Sequence, residues 1–266
     1  MQTQRIVARL LEACAQFMHP ARLLALYDVS CSAVSGSWLT LSSLACGTAR
    51  PTALRHRIKC VDRLIGNVHL HNERLAVYRA LAHRWLSDLP QLLTVVDWSS
   101  LSADMHWHWL RASVVVDGRS LTLYEEVHAR RYLGNGGVHR RFVDRLAQLL
   151  PPCERPPIVI TDAGFRTPWF QLLAKHNWRW IGRIRNRDFV RQDEGPWFAA
   201  KTLYGQARPS AQDLGRYECI RSNPIRCRFV LIKKAATGRR HRDPSGKEQR
   251  HSQARKTARC SANPGY

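Results

Sequence analysis

The chain has 266 residues, 44% of them apolar, which is enough to bury one or two cores. With 42 Lys and Arg against 20 Asp and Glu, its formal charge is +22, a balance that selects a polyanion or an anionic membrane as partner. No stretch approaches the ~18 apolar residues of a membrane span, so no membrane association is expected, nucleic acid is the favoured partner and the cytoplasm the expected compartment.

The first segment, MQTQRIVARLLEACAQ, interrupts its apolar residues with Arg9 and Glu12. It reads as an amphipathic helix rather than a signal peptide. From Pro51, Leu54, Ile58, Val61 and Ile65 recur at helical spacing and predict a core stripe. Arg55, Lys59 and Arg63 fall at i, i+4 and i+8, three cations on a neighbouring face. Asn72 offers an N-cap for a second helix with Leu75, Tyr78, Leu81 and Trp85 as its stripe. Residues 1–90 therefore read as a helical module, and its cationic face suits backbone phosphates. A solvated basic face on an ordinary bundle is the plainer alternative.

After residue 90 the period changes. Leu92 to Asp97 is a short apolar run, read as a buried strand that ends in an acid. Leu110 to Val116 and Leu121 to Val127 predict two more strands, and Asp117-Gly118 between them is a hairpin signal. Val138, Phe142, Leu146 and Leu149 form a helix face that stops at Pro151-Pro152. Ile158 to Asp162 predicts a fourth strand, again ending in an acid. A helix from Pro168 to His176 and a strand from Trp180 to Ile184 follow. This β-β-β-α-β-α-β order over residues 91–187 predicts an α/β layer fold. Residues 188–232 turn to short strands, such as Tyr217 to Ile220 and Arg228 to Ile232, and read as a β-rich insertion.

Residues 233–266 hold ten of the basic residues, two of the acids and no hydrophobic period. That tail is expected to be disordered unless bound. The eight cysteines contain no C-x-x-C pair, which argues against a zinc ribbon. His69-x-His71 and His106-x-His108 are read as alternate outward positions rather than metal ligands.

Asp97 and Asp162 are the candidate site. A carboxylate at a strand terminus is held rigidly yet stands where the sheet gives way to solvent. Two from neighbouring strands can share a hard divalent cation, Mg²⁺ or Mn²⁺. With a third acid they could hold two ions ~4 Å apart, the arrangement that serves phosphodiester displacement. Gly164 lets backbone approach the site closely. Either Asp alone is read more simply as a turn or helix cap.

Several blocks, in order, resemble one family. Lys59 to Asn67 (KCVDRLIGN) with His71 to Arg79 (HNERLAVYR), Val95 to Ser99 (VVDWS), Leu110 to Ser113 (LRAS), Gly118 to Glu125 (GRSLTLYE), Ile160 to Phe165 (ITDAGF) and Ser222 to Ile225 (SNPI) match the cut-and-paste insertion-sequence transposases related to the enzyme of the composite tetracycline-resistance transposon. The resemblance spans roughly residues 50–230. It implies an RNase H-like mixed-sheet core, Mg²⁺ dependence with Mn²⁺ as substitute, and double-stranded DNA at the element's inverted-repeat ends as partner. It makes Asp97 and Asp162 the first two of three catalytic, metal-binding acids, and implies a homodimer at synapsis.

The family's third acid, the Glu of Y-x-x-R-x-x-x-E-x-x-x-x-x-x-K, has no counterpart. Tyr204 and Tyr217 are followed by Arg208 and Arg221 one position too late, and Glu194, Glu218 and Glu248 lie in turn-rich or strand-like surroundings. Relatives continue with a segment beginning E-P-W-L-L, and codons for Ala262 to Tyr266 can be chosen so that a displaced frame spells it. A frameshift just before residue 262, and with it a truncated, catalytically defective copy, is the expectation. Sequencing the gene past its stop tests this: family-like coding in another frame is expected. Two alternatives stay open, a non-catalytic DNA-binding or inhibitory fragment and an RNase H-like nuclease or resolvase unrelated to transposition, with RNA binding through the basic tail a weaker third.

Overall fold

The computed structural model describes residues 2–116, 118–233, 240–242, 248–250 and 256–262, the last three stretches as backbone alone. The chain divides into two compact units, residues 1–88 with 145–152, and residues 89–144 with 153–266.

The first unit is helical: α1 (Gln2–Leu11), α2 (Pro20–Val34), α3 (Leu41–Gly47), α4 (Leu54–Ile65) and α5 (Val68–Leu86). One core gathers Val7, Leu11 and Cys14 against Leu23, Tyr27 and Val77, and a second gathers Leu44, Ala45 and Val61 against Val29 and Ile58. The expected α4 stripe is displaced. Val61 and Leu64 are its buried residues, while Leu54 and Ile65 at the two ends are exposed. The covered face runs through Ile58, Val61 and Leu64, where α4 meets α2 and α3, and Leu54 and Ile65 lie off it. The second helix also starts earlier than expected. Its N-cap is Asn67, whose Oδ1 accepts from Leu70 N at 3.1 Å, and Asn72 lies inside it. Ala82 and Leu86 are its buried residues, and the expected Leu75, Tyr78, Leu81 and Trp85 are only half-buried. The Arg22–Glu73 pair, with the Nε bond at 2.9 Å, ties α2 to α5.

The second unit is built on one sheet. Its strands are β1 (Leu93–Ser100), β2 (Trp107–Val116), β3 (Arg119–Ala129), β4 (Ile158–Thr161), β5 (Arg179–Arg183), β6 (Phe189–Arg191), β7 (Phe198–Ala199), β8 (Gln212–Cys219), β9 (Ile225–Lys233) and β12 (Lys256–Ala262), in the order β3-β2-β1-β4-β5-β12-β9-β8-β6-β7. A separate ribbon pairs β10 (Arg240–Arg242) with β11 (Glu248–Arg250). Between strands run α6 (Gly136–Leu149) and α7 (Thr167–Lys175). The front half, β3-β2-β1-β4-β5, has β1, β4 and β5 parallel and two antiparallel hairpin strands beside them. This is the mixed α/β arrangement expected of an RNase H-like core.

Val116 pairs with Arg119, so two residues connect β2 to β3, and Gly118 takes the positive φ of +73° that such a turn needs. Asp117, the other half of the hairpin signal, lies outside the described residues. Ala112 pairs with Tyr124 but Ser113 with Thr122, leaving Leu123 as the extra residue of a bulge. Leu123 and Tyr124 are therefore both buried although adjacent. The bulge fixes which of Glu125 and Glu126 faces inward, and it is Glu126.

The tail differs from expectation where it is described. Residues 234–239, 243–247, 251–255 and 263–266 lie outside the described residues, but β12 is antiparallel to both β5 and β9. A strand bonded on both edges draws its hold from the backbone ladder, which a search for hydrophobic period does not detect.

Two substitutions test this packing. A Cβ on Gly182 would sit 2.5 Å from Phe170 Cζ, so Gly182→Ala is expected to cost about 1–3 kcal/mol, read as a lower urea midpoint. Asn67→Ala is expected to cost about 1 kcal/mol and Asn72→Ala far less, which reverses if the helix starts at Asn72.

Candidate functional site

β1 and β4 pair in parallel with Val96 opposite Thr161, and the next residue on each chain is an aspartate. Asp97 does not end its strand as expected. β1 runs three residues further, to Ser100, because it stays paired with β2 as far as His108 after β4 has stopped. Asp162 is the first residue after β4. Both side chains are exposed.

Each carboxylate is held by a short-range donor. Asp97 Oδ2 accepts from Ser99 Oγ at 3.0 Å, and Asp162 Oδ1 accepts from the Gly164 amide at 2.7 Å. A Cβ at Gly164 would stand 2.8 Å from that same Oδ1, so the glycine leaves room for the carboxylate. Arg185 Nε, from the segment after β5, donates to the Ala163 carbonyl at 2.6 Å and pins the loop from outside. Partial desolvation pushes the Asp97 carboxyl above its ordinary range and the negative charge of Asp162 adds to this, while the Ser99 hydroxyl and Arg111 pull the other way.

A second row crosses the sheet on the face of Asp97. Asp97 pairs with Arg111, and Arg111 with Glu125. Arg111 Nε donates to Glu125 at 3.1 Å, and its guanidinium lies 4.3 Å from the Trp109 ring centroid. On the opposite face Trp98, next to Asp97, donates from Nε1 to Nε2 of His139 on α6 at 3.0 Å. The His139 ring also stacks on Phe165, three residues after Asp162, with centroids 5.3 Å apart, and meets Trp169 edge-on at 5.0 Å. Burial holds the His139 pKa down at about 4, with the neighbouring His128 contributing in the same direction. His139 and Arg111 were not singled out in the sequence. A helix face built on Val138 and Phe142 hides a histidine between them, and Arg111 counts only once the cross-strand register is known.

The α4 cations Arg55, Lys59 and Arg63 are exposed, and among the described residues none is in an ion pair. Arg55 makes only a 3.3 Å contact with its neighbour His56. By contrast Arg22 and Arg50 in the same unit are paired with Glu73 and Asp28. The histidine pairs fall apart individually: His71 Nε2 is 2.8 Å from the Ile65 carbonyl, and His108, buried rather than outward, is 3.1 Å from the Met105 carbonyl. Glu218 is committed to Arg191 and Arg226, and Glu194 sits at a turn with φ of +61°.

Asp97 and Asp162 together are an all-oxygen donor pair with mutual repulsion that a cation would relieve, so they fit one hard divalent ion as two of its ligands. Among the described residues there is no cluster of three or more His, Cys, Asp or Glu that could hold a metal.

Comparison with curated proteins finds no match. Among solved structures, the chain is similar to one described as the cryo-EM structure of the piggyBac transposase synaptic complex with hairpin DNA, at 10% identity and a TM-score of 0.43. The alignment covers 94% of this chain and 53% of that one, so the chain spans about half of that neighbour's length. A family model for the transposase DDE domain matches residues 89–255, well over half of the chain and a span that includes both aspartates. The chain belongs to the DDE transposase family.

Proposed function

We propose that this chain is a transposase-derived protein that holds the inverted-repeat ends of its element through the α4 cations, and that this copy does not cut them. In this reading Asp97 and Asp162 are the first two acids of the catalytic metal site. The observation that carries it is the parallel β1–β4 register, which leaves two carboxylates at neighbouring positions with Asp97 destabilised as an anion. Mg²⁺ or Mn²⁺ would supply activation of an attacking oxygen and stabilisation of a leaving oxygen of a phosphodiester. The chain's own contribution is orientation: Ser99 and the Gly164 amide aim the two carboxylates, and Arg185 fixes the loop that carries Asp162.

The proposed defect belongs to these 266 residues as they stand, in which the Glu of the family pattern has no counterpart. Two carboxylates leave a hard cation short of protein ligands, so its affinity falls and its position loosens. Purified protein incubated with inverted-repeat DNA and Mn²⁺ is expected to leave both strands intact. Metal-dependent nicking that disappears in Asp97→Ala would overturn the defect while supporting the site.

DNA binding is expected to persist and to be electrostatic. Raising salt from ~50 to ~200 mM should weaken an end-specific gel shift by orders of magnitude, because bound cations displace condensed counterions. Replacing Arg55, Lys59 and Arg63 together by alanine should lower the slope of log affinity against log salt by about three. An unchanged slope places the contacts elsewhere.

A non-catalytic, end-occupying inhibitor is the second reading. It is favoured by the division of the chain, since the α4 cations and the acids belong to different compact units. Its expected signature is slower cutting of the ends by an active transposase when this chain is added, an effect the Asp97→Ala, Asp162→Ala double variant should retain in full.

A further inference from the structure

We infer that His139 is a positioning residue for the metal site, its buried imidazole tying Trp98 to Phe165 and so setting the separation of Asp97 and Asp162. The inference rests on the proposal that these two acids take the metal.

The geometry is specific to the two acids. Trp98 is the residue directly after Asp97, and alternation along β1 sends its indole to the opposite face of the sheet. There its Nε1 donates to His139 Nε2 at 3.0 Å. That bond requires a lone pair on Nε2, so the ring is neutral with its proton on Nδ1. The low His139 pKa keeps that state through the neutral range. On its other contact the same ring stacks on Phe165 at an interplanar angle of 27°. Phe165 follows the Asp162-Ala163-Gly164 turn, whose amide at Gly164 holds the Asp162 carboxylate. Trp169 closes the cluster against both rings, 4.6 Å from Phe165 and 5.0 Å from His139.

One side chain therefore touches both the residue that follows Asp97 within β1 and the loop that follows Asp162. The β1–β4 ladder fixes the register up to Val96 and Thr161 and then stops. Beyond it β1 stays paired with β2 while the chain leaves β4, so the acids' spacing depends on where the loop carrying Asp162 is held relative to β1. His139 ties that loop, through Phe165, to Trp98 of β1 from behind. Packing alone does not call for a histidine here: burying an imidazole costs more than burying a phenyl ring unless its nitrogens find partners. The Trp98 bond provides one such partner, and a phenyl ring would leave the half-buried indole N–H without this acceptor.

The test uses the full-length chain and Mn²⁺ binding, followed by electron paramagnetic resonance of the free ion, with thermal melting alongside. Asp97→Ala and Asp162→Ala should each abolish the site. If neither alters Mn²⁺ binding, the assignment of the acids fails, and the His139 inference falls with it. If both do, His139→Leu is expected to weaken Mn²⁺ roughly tenfold or more, the usual effect of removing a residue that orients a ligand. His139→Gln, which can present an acceptor to Trp98, should restore affinity to within a fewfold of the parent chain. Unchanged affinity in His139→Leu, or equal loss in the Leu and Gln variants, would overturn the inference. Should His139→Leu fail to melt cooperatively, Trp98→Phe decides the matter, because it keeps an aromatic ring in place while removing the N–H donor with the five-membered half of the indole, and the melting measured alongside reads any loss of packing. Weaker Mn²⁺ binding supports the tie, and unchanged binding refutes it.

Discussion

The parallel pairing of β1 with β4 is the constraint from which the rest of the site follows. Both strands are apolar and bury Val96 and Val159, and their ladder is bonded on both sides, by β2 and by β5. Such a ladder is stiff enough to bring two like charges to adjacent positions against their repulsion. The Asp97 pKa is raised chiefly by desolvation, and the charge of Asp162 adds to it. The proposed cation site would be built this way from the outside in, with the sheet supplying the force that the carboxylates by themselves oppose.

The sheet also sorts the surroundings of the acids by face. Direct cross-strand neighbours share a face, so Asp97, Arg111 and Glu125 form one row, and Trp98, Leu110 and Glu126 the row behind it. The bulge at Leu123 decides this phase. Behind the sheet the row continues into a buried polar chain, in which Tyr124 donates to Glu126 at 2.6 Å and His128 lies 2.8 Å from the same carboxylate. Ion pair and cation–π contact on the front hold Arg111 beside Asp97 without a direct bond to it.

The strands of the front half were legible because each is a short apolar run bounded by turn residues, and every one appears within a few residues of its expected bounds. The helices were legible as helices, but their buried faces were not. Leu54 and Ile65 have the right spacing but are exposed, while Leu64, outside the expected stripe and next to Ile65, is covered, so the buried face is turned from the expected one. Asp97 and Asp162 could be picked out as acids following apolar runs; that they adjoin depends on a parallel pairing across more than one intervening element. His139 gave no local signal, since its meaning lies in Trp98 and Phe165, which are distant in sequence from it and from each other. β12 was missed for a different reason: its sequence is that of a basic tail, and its place is set by two ladders of backbone bonds.

That placement bears on how the protein is made. β5 and β9 are both synthesised well before the strand that lies between them, and until residue 262 has left the ribosome each presents a bare row of amides and carbonyls. The nascent chain thus carries two open edges at once, facing the same gap, and they can meet each other or a neighbouring polypeptide. The late strand carries two cations, Lys256 and Arg259, among its seven residues and no acid. Their charge slows pairing between identical strands on separate molecules, so the segment that completes the sheet is also the one least suited to aggregate before it gets there.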